Sequence, residues 1–349
     1  MKALIAGMLA MACALSLTAC SSRKDNHTSP SSSSIASSAP SSSAPFTSSA
    51  SEPAVSSGPS SSASSMAAGS SASSHKEGVI SDMEDAAEHA VSDVASLVAP
   101  TMSTDFSKIG TLAASQVPWG PGVQVDGENR TTASDSLQEQ YGKYGAYFIA
   151  PRGCGKFYLT FDEGYENGYT PAILDVLKEK GVSAVFFVTA PFVKTCPDLI
   201  QRMIDEGHVV GNHTNHHWNP TQKSLDEAAQ DIKDLHDYML ENFNYTMSLY
   251  RPPEGAFSEQ TLAMAQELGY TTVLWSFAYA DWDPDKQIGY DAALEKTEKF
   301  IHEGAIYLLH AVSKDNAEIL GQLIDDIRGK GLELSKWDLP YVPPLESDS

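Results

Sequence analysis

Residues 156–189 read KFYLTFDEGYENGYTPAILDVLKEKGVSAVFFVT. Two apolar runs, Phe157–Phe161 and Ser183–Thr189, flank a segment that opens on Thr170-Pro171 and closes at Gly181. An N-cap hydroxyl, a proline in the first turn and a glycine just past the end are the marks of a helix. The stretch is therefore a strand–helix–strand unit. Strands joined by a crossover helix run parallel, with helices covering the sheet.

The same alternation continues outward. Further strands are expected at His208–His213, Leu249–Arg251, Thr271–Phe277, Ala305–His310 and Leu332–Lys336. Helices are expected from Pro197 to Gly207, from Ser224 (with Glu227 three residues on), from Ser258 to Gly269, over Ala292–His302 and over Ala317–Arg328. The fold class is α/β, and seven strands suggest a barrel, closed or incomplete. Residues 100–150 are punctuated by Gly and Pro and carry no firm assignment. Ahead of them, residues 81–99 have helical spacing (Met83, Ala87, Val91, Val94, Val98) and a stop at Pro100.

The N-terminus reads as a targeting segment. Lys2 precedes an apolar run over residues 3–17 that is short for a membrane span, and Leu17-Thr18-Ala19-Cys20 resembles a bacterial lipobox. An ordinary signal peptide or a retained anchor are the other readings. Residues 21–78 are dominated by Ser, with Ala and Pro, too poor in apolar side chains to offset chain entropy. They are expected to form a disordered tether with a reach of roughly 40 Å. The expected organisation is thus a lipoprotein signal peptide over 1–20, the tether over 21–78, a helical and irregular segment over 79–150, and a catalytic domain over 151–340. The formal net charge of −22 argues against nucleic acid as a partner. Of the four cysteines, Cys154 and Cys196 would remain in the domain. They fall at opposite ends of parallel strands, too far apart for a disulfide, and are expected to be free.

Catalytic groups of parallel barrels gather at the C-terminal ends of strands. Here Asp162 and Glu163 follow the first strand, and His213, His216 and His217 the third. Arg251 follows the fourth, Asp281 the fifth and His310 the sixth. A single His at a strand end is commonly structural; five of six ends carrying such groups is not easily so explained. His213 and His217 are four apart, a spacing that aligns them within a helical turn, and two imidazoles with a carboxylate make a divalent-metal site with open positions. The H-E-x-x-H protease pattern is absent, since Thr214 occupies its Glu position.

Gly153–Leu339 resembles the polysaccharide deacetylase family (carbohydrate esterase family 4). The family's motifs occur in order as Thr160-Phe161-Asp162-Glu163, His213-Thr214-Asn215-His216-His217, Arg251-Pro252-Pro253-Glu254-Gly255, Asp281-Trp282 and Tyr307-Leu308-Leu309-His310. The resemblance implies a distorted seven-stranded (β/α) barrel. It implies Asp162 as the general base acting on a metal-bound water, and Arg251 as its partner. His310 is implied as the general acid and Asp281 as the residue that tunes it. Trp282 and Pro253 are implied to bind substrate. One divalent ion, zinc, is implied at His213, His217 and a third ligand. The family has Asp at that third position; here it is Glu163, one methylene longer.

The surrounding segments, Gly164–Thr170, Phe186–Thr189, Gly211–His213, Phe257–Glu259, Ala305–His310 and Val312–Glu318, resemble a subgroup, the delta-lactam-biosynthetic de-N-acetylases. These act on N-acetylmuramic acid in peptidoglycan. The resemblance implies that substrate, with strands stripped of their stem peptide preferred. Separately, the lipobox-like Leu17-Thr18-Ala19-Cys20 and the tether point to a protein lipid-anchored through Cys20 to the cell membrane and facing the wall, expected to be a monomer. Deacetylation of another glycan (peptidoglycan N-acetylglucosamine, chitin oligomers or acetylxylan) and a non-catalytic glycan-binding role are the competing readings.

Overall fold

The structure, a computed structural model, describes residues 105–344. The expected leader, tether and helix over 81–99 lie outside the described residues. The strands are β1 (Ala146–Tyr147), β2 (Lys156–Glu163), β3 (Val185–Val188), β4 (Val209–Asn212), β5 (Leu249–Tyr250), β6 (Thr271–Val273), β7 (Ala305–His310) and β8 (Glu333–Leu334). All pair in parallel, in the order β1-β6-β5-β4-β3-β2-β7, with β8 against the start of β2. The two edges approach each other. Phe277, just beyond β6, bridges Tyr307 of β7, and the Ala150 amide donates to the Gly304 carbonyl at 2.8 Å. The sheet therefore curls into a distorted barrel.

Strand β2 shows why. From Phe157 to Glu163 it is buried on both faces, as a strand covered by helices outside and side chains inside must be. Side chains alternate between the faces. Phe157, Leu159 and Phe161 join the large core between sheet and helices, whereas Tyr158 packs inside with Val185, Phe187 and Ile306.

The outer layer comprises α1 (Thr132–Tyr141), α2 (Thr170–Lys180), α3 (Ala190–Thr195), α4 (Pro197–Asp205), α5 (Leu225–Phe243), α6 (Glu259–Glu267), α7 (Tyr290–Lys299) and α8 (Lys314–Gly329). Helix α2 ends at Gly181 in the left-handed conformation (φ 61°). Helix α5 starts with a reciprocal Ser224–Glu227 capping box. None of the described helices is long and apolar enough to cross a membrane. Cys154 and Cys196 are both free.

The region without firm assignment contains α1 and β1. It also supplies Trp119, which packs against Phe148, Phe257 and Trp275 with ring centroids 5.4, 6.0 and 4.9 Å away. Some expected strands are shorter than their apolar runs: β6 stops at Val273, and Leu274 and Trp275 beyond it join a separate cluster with Phe148 and Phe257.

Candidate active site

Asp162 lies near the end of β2 on the inner face, as do Tyr158 and Thr160. Arg251, wholly buried after β5, reaches both polar groups. Its Nη1 donates to Asp162 Oδ1 at 2.7 Å and its Nη2 to Thr160 Oγ1 at 2.8 Å. Its Nε donates to the Val273 carbonyl, and its Cζ lies over the Phe187 ring, 4.1 Å from the centroid. The guanidinium is thus fixed on several sides. Burial alone would raise the Asp162 pKa, but the charge of Arg251, then of His213 and His310, outweighs it and holds the carboxyl below its ordinary value.

His213 follows β4 and is buried. Its Nδ1 bonds to the Arg251 carbonyl at 2.8 Å, which leaves Nε2 facing Asp162 Oδ2 at 3.5 Å. Burial lowers its pKa to about 4 against the opposing Asp162 charge, so the ring is neutral at physiological pH. The His217 ring meets that of His213 edge-on with centroids 4.9 Å apart. The pair does not sit on a helical turn. The chain after β4 is a loop in which Thr214 (φ 71°) and His217 (φ 57°) are both left-handed. That loop is pinned by the Asn212 side chain accepting from Thr214 N, and by Thr214 Oγ1 accepting from His217 N. His216 points elsewhere, bonding Asp231 at 2.6 Å and stacking on Trp218.

A neutral imidazole whose second nitrogen is held by a backbone carbonyl is the usual arrangement of a metal ligand. His213 fits a divalent ion on these grounds, and the His217 ring stands beside it on the same cavity. Glu163 does not join them. It follows Asp162 on the strand and so takes the outer face, where it is wholly buried with the Thr170 hydroxyl 3.4 and 3.5 Å from its oxygens. Burial and the nearby Glu166 charge push its pKa well up. Among the described residues, no three His, Cys, Asp or Glu side chains gather at metal-binding distance.

His310 ends β7, in register with Asp162. Asp281 accepts from the His310 backbone amide at 2.9 Å and bonds its Nδ1 at 2.8 Å. Asn316 donates to the same Asp281 carboxylate at 2.6 Å and to the His310 carbonyl at 3.0 Å. Burial would lower the His310 pKa; the Asp281 bond and charge, with Asp162 beyond, outweigh it and raise the pKa. With Nδ1 committed, Nε2 is the nitrogen available for proton transfer.

Asp162, His213, His217 and His310 all line one cavity of about 700 Å³. Trp282 stands at its mouth, 56% exposed and edge-on to His310 at 6.0 Å. Pro253 is buried and does not line the cavity; its neighbours Glu254 and Gly255 do. Tyr165, 50% exposed, is an aromatic wall that motif reading passed over, although it stands two residues beyond Glu163. Trp275 is another, and Trp119 supports it from behind, with its indole N–H on the Gly255 carbonyl at 2.7 Å.

Residues 149–273 match the Polysaccharide deacetylase family. Over 207 residues the chain is 44% identical to a peptidoglycan-N-acetylmuramic acid deacetylase, PdaA, of Bacillus subtilis, covering 59% of this chain and 79% of that one. The chain belongs to the polysaccharide deacetylase family. An uncharacterized 30.6 kDa protein of Geobacillus stearothermophilus is 40% identical over 235 residues, 67% of this chain and 89% of its own. The solved structure of Bacillus subtilis PdaA, described as a family 4 carbohydrate esterase, superposes with a TM-score of 0.60 at 41% identity. It covers 63% of this chain and 94% of that one. This polysaccharide deacetylase is accordingly a hydrolase, and the cavity at the strand ends is its candidate active site.

Proposed function

We propose that this deacetylase removes the acetyl group from N-acetylmuramic acid residues of peptidoglycan. The observation that carries the chemistry is the pairing of two oppositely prepared groups across one cavity. Arg251 holds the Asp162 pKa down, and Asp281 raises that of His310. Amide hydrolysis needs a base for the attacking water and an acid for the departing nitrogen. Asp162 takes the proton from the water as its oxygen adds to the acetyl carbon. His310 Nε2 gives its proton to the sugar nitrogen as the C–N bond breaks, leaving acetate and the free amine.

His213 and His217 would hold a divalent ion, with zinc the proposed metal, which when bound supplies Lewis-acid polarisation of the acetyl oxygen and lowers the pKa of water. The apolar walls, half-buried Trp275 and buried Leu308 among them, limit the access of bulk water to the reacting carbon.

The likeness to the Bacillus subtilis enzyme, named for N-acetylmuramic acid, supports the sugar. The test is purified full-length protein on peptidoglycan, on amidase-treated peptidoglycan and on chitin oligomers, with and without chelator, read by mass spectrometry. The expected result is loss of acetyl mass from muramic acid, abolished by the chelator. Loss from glucosamine alone would overturn the substrate while leaving the deacetylase chemistry intact.

A further inference from the structure

The loop Thr214–His217 brings His217 to the cavity, and each of its four amides has an acceptor. Thr214 N donates to Asn212 Oδ1 and His217 N to Thr214 Oγ1, both at 2.9 Å. The two amides between them go to one residue of α5, Asp231. Asn215 N donates to its carbonyl at 3.0 Å and His216 N to its Oδ1 at 3.1 Å. The same Oδ1 bonds His216 Nδ1 at 2.6 Å. Asp231 is 3% exposed and does not line the cavity. Beside it, the Ile232 carbonyl accepts from Asn212 Nδ2 at 2.8 Å. Helix α5 thus grips the loop from outside the site.

The grip matters because the loop is strained. Thr214 (φ 71°) and His217 (φ 57°) are left-handed, a conformation that a β-branched residue above all keeps only where its surroundings fix it. Among residues 214–217 only His217 lines the cavity, and its ring meets that of His213 at 4.9 Å. His213 is anchored separately, through the Arg251 carbonyl. A constraint applied by Asp231 therefore falls on His217. We infer that Asp231 is a positioning residue that holds His217 ready as a metal ligand. The inference rests on the assignment of a divalent ion to His213 and His217, and adds the group that keeps the second imidazole in place. Outer-shell partners of a metal site usually bond the ligand ring; here the bonds are to the backbone that carries it. The role is that of a hydrogen-bond acceptor rather than of a charge near the ion.

The experiment uses the full chain stripped of metal, with zinc as the probe. Zinc affinity is measured by competition with a chromophoric chelator, and amide hydrogen exchange is followed on the metal-free protein. Asp231→Ala is expected to weaken zinc binding by about 10–100-fold, the usual loss when an outer-shell partner is removed. Exchange should quicken at residues 214–217 while β4 and the rest of α5 stay protected. Asp231→Asn keeps an oxygen for the His216 amide and is expected to remain within roughly threefold of the wild type. A merely structural Asp231 would instead quicken exchange across α5 and the sheet together and leave the zinc affinity of the folded protein unchanged. That result would overturn the inference, as would a loss in Asp231→Asn as large as in Asp231→Ala. Should Asp231→Ala fail to fold, Asp231→Glu carries the same test, since it keeps the charge and displaces the oxygen by one methylene; wild-type zinc affinity in that variant would overturn the inference too. A wild type that takes up no zinc would remove the metal assignment and the inference together, whereas zinc uptake indifferent to Asp231→Ala removes the inference alone.

Discussion

His310 illustrates how a single partner decides a residue's use. A buried imidazole loses its proton readily, since burial disfavours the charged form. Asp281 reverses this through one bond at 2.8 Å and its charge, and is itself held by Asn316. The raised pKa keeps the acid form present at neutral pH, and that form is lost as pH rises through it. Activity should therefore fall on the alkaline side with the titration of His310. In Asp281→Asn the offsetting charge is gone, burial prevails, and the alkaline limb is expected at lower pH. His310→Ala should lose about 10²–10⁴-fold in turnover, the usual contribution of a positioned acid. A pH–rate profile of both variants checks this; a limb unmoved in Asp281→Asn would assign proton donation to another group. Strand-end position brought Asp162, His213, Arg251 and His310 into view together with Glu163, His216, His217 and Asp281, and did not by itself separate them. Glu163 is the case in point. The family resemblance implied a third metal ligand at its position, yet strand alternation sends neighbouring side chains to opposite faces. The same parity that puts Tyr158, Thr160 and Asp162 inside puts Glu163 against Thr170.

At the scale of elements, the turn Pro253–Gly255 couples the N-terminal segment to the site. A Cβ on Gly255 would stand 2.4 Å from Trp275 and 3.1 Å from Trp119, at a φ of 63°. Gly255→Ala combines a left-handed backbone cost with overpacking, together roughly 2–4 kcal/mol. The expected outcome is a fall in melting temperature on the order of 5–10 °C by calorimetry. It should be accompanied by loss of activity, because Glu254 and Trp275 both line the cavity. An alanine variant as stable as the wild type would show that the two indoles yield freely. Helices α2, α4, α5 and α6 were legible because capping and stop residues punctuate them. Strand β1 was not: two residues carry no periodicity. It is held by the α1 residue Gln138, whose side chain donates to the Ala146 carbonyl and accepts from the Phe148 amide. Such a link appears only once the chain has folded back. The His213–His217 spacing was legible for the wrong reason, since two left-handed loop residues deliver what a helical turn was expected to provide.

At the scale of the whole molecule, a net charge of −22 gives the chain no broad electrostatic attraction to an anionic wall. Residence near its substrate must come from elsewhere. Leu17-Thr18-Ala19-Cys20 and the serine-rich stretch over 21–78 are the features suited to it, and we propose that lipid on Cys20 anchors the enzyme. Two signals make a stable anchor where one acyl chain does not, because each buried CH₂ contributes only about 0.8 kcal/mol. A diacylated cysteine with an acylated amine satisfies that condition without any basic patch. The full chain expressed in a bacterium is expected in the membrane fraction and to incorporate labelled palmitate. Cys20→Ser should shift it to the soluble or secreted fraction with its deacetylase activity retained, because the described domain has its own core and site. Membrane retention of Cys20→Ser would instead assign anchoring to the apolar run over residues 3–17.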